Sequence, residues 1–196
     1  MRIPTDRDIR TLHRDHAPTR EAFESVHTHC ELVCQVAEQL LDGLDVDGDL
    51  VRAGALLHDI GVYRLYSPAG ELDTSDYVRH GVLGHELLAE LGFPEPIRRF
   101  ASRHTGVGIT RDDVRRQSLP IPEGDYLPES PEEELVMYAD KFHSKRTPPV
   151  FVSGDSYAAT VGRWGADKET AFAALRQRYG DPDLKPLTDA TGHALI

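Results

Sequence analysis

Ala55-Leu56-Leu57-His58-Asp59-Ile60-Gly61 is the stretch on which the reading of this chain turns. An apolar segment ends abruptly in an imidazole and a carboxylate. With Leu50 and Ala53 upstream, Leu56 and Leu57 complete the buried stripe of an amphipathic helix. Adjacent helical residues point about 100° apart, so His58 and Asp59 cannot both follow that stripe. They can converge on an ion at the helix end, because imidazole nitrogen and carboxylate oxygen are ligands that Zn, Fe and Mn share.

Working outward, His29, His80, His104 and Asp140 each fall in or at the edge of a segment with helical periodicity. With His58 and Asp59 they form the ordered series H…HD…H…H…D. One helix offers only i, i+3 and i+4 neighbours on a face, so ligands from several helices suit a metal site in a bundle core.

The words around these residues carry a resemblance. His29-Cys30-Glu31-Leu32-Val33-Cys34-Gln35-Val36-Ala37, Leu56-Leu57-His58-Asp59-Ile60-Gly61, Arg103-His104-Thr105-Gly106 and Tyr138-Ala139-Asp140-Lys141 stand in the order of the HD-domain superfamily of metal-dependent phosphohydrolases. The resemblance runs from about Ser25 to Arg146. It is to the six-ligand, binuclear branch, which includes bacterial diadenosine-tetraphosphate hydrolase-like proteins. It implies an all-α, single-domain helical bundle of the HD-domain type. It further implies two divalent cations, with Fe, Mn, Zn and Mg not distinguished, held by His29, His58, Asp59, His80, His104 and Asp140. Asp59, with two oxygens, is the candidate bridge. His29, His58 and Asp140 would complete one shell with it, and His80 and His104 would hold the second ion. The implied reaction hydrolyses a phosphoester or phosphoanhydride bond in a small phosphorylated metabolite or nucleotide through a metal-bound hydroxide, with His58 and Asp59 as the catalytic pair. Two alternatives share the ligand set: a di-iron oxygenase of HD type and a non-catalytic nucleotide-binding HD module.

The substrate side departs from the pattern. Many relatives continue the signature as HDIGK or HDIAK, whereas Val62 stands at that lysine position here. Lys141, Lys145, Arg146, Arg103 and Arg64 are the candidates for phosphate contacts, weighed equally against solvated charges at helix ends. Thr105-Gly106-Val107-Gly108 lacks phosphate-loop spacing and reads as the turn that presents His104. His27 and His85 are off the ligand faces, and His13, His16, His143 and His193 have no suggestive word around them. Cys30 and Cys34, four apart on one helix face, read as small buried hydrophobes rather than soft ligands or a disulfide.

Bulk properties narrow the partners. The 196 residues suit one domain with a substantial core. A net charge of −11 argues against nucleic-acid polymers and anionic membranes, and leaves small metabolites open because bound cations invert the local potential. Neither a bilayer-spanning run nor a signal-peptide pattern is expected, so the cytoplasm is the expected compartment. A homodimer is left open.

Three parts are expected: an N-terminal helical extension over 1–24, the HD domain over 25–146, and a C-terminal loop and helix over 147–196. Helices are predicted from Asp6 to Asp15, from Thr19 through His29 to Leu41, and from an Asp47 or Asp49 cap to His58. Others run from Thr74 or Ser75 through His80 to Leu91, from Pro94 to His104, over Arg111–Gln117, and from a Ser130 cap to the Asp140–Ser144 region. A last one covers Asp167–Tyr179. Tyr63–Asp73 and the Trp164 region read as loops, and no strand is predicted.

Overall fold

A computed structural model of the chain describes residues 2–67 and 69–196. Met1 and Pro68, which figured in the readings of the N-terminus and of the Tyr63–Asp73 loop, lie outside the described residues. The helices in chain order are α1 (Asp6–His16), α2 (Arg20–Gln39), α3 (Gly48–Leu57), α4 (His80–Glu90) and α5 (Glu95–Arg103). They are followed by α6 (Arg111–Arg116), α7 (Pro131–Ala139), α8 (Gly154–Val161), α9 (Ala166–Tyr179) and α10 (Lys185–Thr191). The fold is all-α, and no described helix is long and apolar enough to cross a membrane.

Local chemistry sets the helix starts. Thr19 accepts the Ala22 N–H at 3.1 Å, Asp47 accepts from Asp49 and Leu50, and Ser130 accepts from Glu133 ahead of Pro131. Helices α2, α3, α4, α5 and α7 pack around a core that includes Val33, Ala37, Leu57, Leu88, Phe100 and Tyr138. The same apolar cluster extends to Ile9 of α1 and to Phe172, Leu184 and Leu187 near the other end of the chain.

The closest packing lies directly after the signature. A 3₁₀ turn over Ile60–Leu65 follows His58-Asp59, and a side chain at Gly61 would collide with the His80 carbonyl and the Gly84 backbone. At Gly84 an added Cβ would come within 2.9 Å of the Ala101 Cβ. These two glycines let the turn, α4 and α5 approach backbone to backbone, which draws His58, Asp59, His80 and His104 together.

Four departures from the predicted elements have physical causes. Tyr63–Leu65, at the start of the expected loop, belong to a buried 3₁₀ turn that begins at Ile60, because Ile60, Val62, Tyr63 and Leu65 have a core to enter. Helix α4 starts at His80, not at Thr74 or Ser75. The Asp73 carboxylate accepts the Ser75 N–H at 2.9 Å and its hydroxyl at 2.6 Å, holding a turn, and a 3₁₀ turn over Tyr77–Arg79 follows. The expected loop around Trp164 holds α8, capped by Ser153, and α10 was not foreseen. Finally there is a small sheet of β1 (His143–Ser144), β2 (Val150–Phe151) and β3 (Ala194–Leu195), with β2 antiparallel to β1 and parallel to β3. Two-residue strands are too short to show alternation.

Candidate metal centre

Five of the six predicted ligands sit at helix ends. His58 is the C-cap of α3 with Asp59 next to it, His104 caps α5, Asp140 caps α7, and His80 is the first residue of α4. His29 alone lies mid-helix, in α2. Three helix C-termini therefore face the centre, and their partial negative charge favours a cation there.

All six side chains meet. Asp59 Oδ2 lies 3.2 Å from His29 Nε2 and 3.5 Å from His58 Nε2. Its other oxygen, Oδ1, lies 3.4 Å from His80 Nε2 and 3.5 Å from His104 Nε2. Asp140 Oδ1 adds contacts of 3.0 Å to His29 Nε2 and 3.5 Å to His58 Nε2. One carboxylate thus faces two donor groups with its two oxygens. Within the cluster, His29, His58 and Asp59 form one set of mutually close donor atoms, Asp59, His80 and His104 a second, and His58, His104 and Asp140 a third.

The imidazole hydrogen bonds test whether this set suits a metal. His58 Nδ1–H donates to the Ala55 carbonyl (2.7 Å), His80 Nδ1–H to Tyr77 (2.5 Å) and His104 Nδ1–H to Phe100 (3.0 Å). A carbonyl can only accept, so in each neutral ring the proton is on Nδ1 and Nε2 carries a lone pair. The Nε2 atoms of His80 and His104 nevertheless lie 2.9 Å apart, and those of His29 and His58 lie 3.2 Å apart. Facing lone pairs repel, and a cation bound by both nitrogens would remove that repulsion. Donors about 2.0–2.2 Å from one ion also fall about 3 Å from each other. The set fits divalent metal.

Electrostatics agree. Burial alone would raise the Asp59 carboxyl, but the Lys145 ammonium against it outweighs burial and holds it well below the usual carboxylate range. Asp140 is likewise held low, against burial, by the Lys141 ammonium. Burial pushes His80 down to about 3 and lowers His104, so both rings stay neutral as ligands must.

The cluster opens into a cavity of about 1050 Å³. Val62 lines it, as do Lys141, Lys145 and Arg146. Lys145 contacts Asp59 Oδ2, and Lys141 Nζ lies 2.7 Å from Asp140 Oδ2 and 3.1 Å from the His104 carbonyl. Arg64 and Arg103 are not brought to the site. Arg64 turns outward to Glu90 on α4, and Arg103 pairs with Glu129 and the Leu127 carbonyl. Arg103 directly precedes His104 at the helix end, so the two side chains point apart. His27 pairs with Glu31 and His85 with Glu95, away from the cluster. Cys30 and Cys34 are buried free thiols outside it; burial pushes Cys30 well up and Cys34 to about 12.

Two histidines that the sequence left without a role are in the site. His143 Nδ1 lies 2.8 Å from His29 Nδ1, and its Nε2 lies 3.1 Å from His193 Nδ1. Burial first, then His29 and His193, pull His143 down to about 3. The position of His143 three residues after Asp140 was the only signal for it. His193 had none, since its approach depends on β3 pairing with β2. Other lining residues were also missed: Tyr157, Arg163 and Trp164 line the same cavity, with the Arg163 guanidinium 3.9 Å from the Trp164 ring centroid.

Comparison with known proteins places the chain. The HD domain family matches residues 26–145. An uncharacterized protein of Methanocaldococcus jannaschii is 41% identical over 130 residues, covering 63% of this chain and 70% of that protein. A tRNA (cytidine(56)-2'-O)-methyltransferase of Picrophilus torridus is 35% identical over 126 residues, covering 64% of this chain but 33% of the methyltransferase. The chain thus spans about a third of the length of that enzyme. Among solved structures, the HD domain of the L. monocytogenes phosphodiesterase PgpH superimposes with a TM-score of 0.55 at 18% identity, covering 93% of this chain and 98% of that one. The same domain is also known in complex with cyclic-di-AMP, at 17% identity and the same TM-score. With the family match spanning more than half of its residues, and the H…HD…H…H…D side chains converging in one centre, the chain belongs to the HD-domain family.

Proposed function

We propose that this protein is a metal-dependent hydrolase that cleaves a phosphoester or phosphoanhydride bond in a small phosphorylated metabolite, specifically a nucleotide. The observation that carries the reading is the split of the Asp59 carboxylate, one oxygen toward His29 and His58 and the other toward His80 and His104, at the floor of a large cavity. His29, His58 and Asp140 would hold one divalent cation with Asp59, and His80 and His104 a second. When bound, such a pair of cations lowers the pKa of water to make a nucleophile near neutral pH and neutralises charge on phosphoryl oxygens.

The chain's own groups would then divide the remaining work. Lys141, Lys145 and Arg146 supply N–H donors and positive charge on the cavity side of the centre, where phosphate oxygens would lie. Lys145, with its ammonium against Asp59, brings positive charge to a site where Val62 offers only an apolar surface. Arg163 and Trp164 present a flat cationic and aromatic wall on which a nucleobase can stack. That the PgpH HD domain, of the same fold, has been seen with cyclic-di-AMP supports a nucleotide for this cavity.

The test is phosphate or nucleotide release from a panel of nucleoside mono-, di- and triphosphates, dinucleoside polyphosphates and cyclic dinucleotides. The panel is run with Mn²⁺-loaded and with chelator-treated protein. Hydrolysis of at least one compound, lost on chelation and restored by metal, is expected. Absence of turnover across the panel, or O₂ consumption by iron-loaded protein with an organic substrate, would overturn the reading.

A further inference from the structure

The four histidines of the centre are not oriented in the same way. His58, His80 and His104 each donate Nδ1–H to a backbone carbonyl three or four residues earlier. Ala55 and Phe100 lie in the last turns of α3 and α5, where carbonyls have no partner within the helix, and Tyr77 lies in a short 3₁₀ turn. His29 cannot use this device. It sits near the middle of α2, where carbonyls are engaged four residues ahead, so the acceptor for its Nδ1–H must come from another element.

The group that stands there is His143 Nδ1, 2.8 Å away. With Nδ1 accepting, the proton of neutral His143 is on Nε2, which donates to His193 Nδ1 at 3.1 Å. With His29 Nε2 kept free as a metal donor, donation runs from His29 Nδ1–H to His143, then from His143 Nε2–H to His193. The small sheet holds it in place. β1 begins at His143, β3 begins one residue after His193, and β2 joins them, while Phe151 of β2 packs edge-on against the His143 ring at 5.0 Å.

We propose that His143 is a positioning residue for His29, and that His193 fixes His143 in its turn. By accepting from Nδ1 it leaves the Nε2 lone pair of His29 as the metal donor and sets the ring's orientation. The C-terminal strand thereby contributes to ion affinity without touching the ion. This assignment rests on the reading of His29 as a metal ligand.

The experiment is calorimetric titration of metal-free protein with Mn²⁺, comparing wild type with His143→Phe, His143→Gln and His193→Phe. Thermal unfolding of the metal-free forms confirms that each variant folds. Phenylalanine keeps the ring volume and removes the acceptor, so affinity for one ion should fall about 10- to 100-fold. Glutamine can accept from His29 through its carbonyl and donate to His193 through its amide, so affinity should return close to wild type. His193→Phe should fall between the two. Unchanged affinity in His143→Phe, or a loss in His143→Gln as large as in His143→Phe, overturns the assignment while leaving the metal centre intact. A wild-type chain that binds no divalent ion overturns the metal reading itself and this assignment with it.

Discussion

Two regions of the chain meet at one cavity and differ in what they ask of their residues. Residues 26–145, matched by the HD family, supply the six converging side chains from helix ends and from mid-α2. Residues 147–196 supply no member of that cluster, yet they provide Tyr157, Arg163 and Trp164 to the cavity lining and His193 to the back of His143. The first region needs six donor atoms at one point, which fixes residue type at each position. The second needs only a surface of suitable shape and charge, which many sequences can provide. Reaction chemistry should therefore fail when the first is altered, and substrate preference should shift when the second is.

Asp59→Asn gives the largest expected effect. An amide keeps the shape but has one acceptor oxygen and no charge, so it cannot face both donor groups as the carboxylate does. Hydrolysis should drop to the chelated background and at least one ion should be lost, as read by phosphate release and metal analysis. Full activity in this variant would break the division at its root.

Gly61→Ala probes the packing that assembles the first region. A methyl group there meets the His80 carbonyl and the Gly84 backbone, neither of which can rotate away. Metal-free protein should lose about 1–3 kcal/mol in denaturant unfolding, and metal affinity should fall because His80 is displaced with α4. A neutral result would show that α4 shifts freely.

Trp164→Ala tests the second region. Loss of a stacking surface for a base is worth about 1–3 kcal/mol and should appear as a raised KM for a nucleotide with kcat little changed. A simple phosphoester with no aromatic group, such as glycerol phosphate, should not be affected. An equal fall in kcat for both substrates would place Trp164 with the catalytic region instead.

The smallest effect lies outside both regions, on α1. His13 accepts from the Tyr63 hydroxyl at 2.9 Å and donates Nε2–H to the Leu56 carbonyl at 2.7 Å. Burial, above all, lowers it from 6.5 to about 3. Between those values the unfolded chain holds a proton that the folded chain does not, so stability must fall as pH drops below about 6.5. His13 should contribute roughly 1 kcal/mol per pH unit to that decline. The slope of unfolding free energy against pH should shrink by that amount in His13→Gln.

The same contrast governs what could be read from the sequence. The ligand series was legible because metal donors come from few residue types and helix ends carry cap signals such as Asp47, Ser130 and Pro131. Arg64 and Arg103 were misplaced because charge near a signature says nothing of side-chain direction at a helix end. Trp164, Arg163 and His193 were missed because their positions depend on α8 and on strands two residues long, which leave no periodic trace. His143 was hidden by the shift from α7 to β1 within four residues.

The two-ion centre proposed here draws six side chains from separate elements. Its most direct test is the number of metal ions retained per chain after reconstitution with Mn²⁺ and removal of free metal, measured by inductively coupled plasma mass spectrometry. Two ions are expected in the wild type and fewer in Asp59→Asn. A single ion would reduce His80 and His104 to pocket residues, and a chain that retains none would contradict the centre altogether.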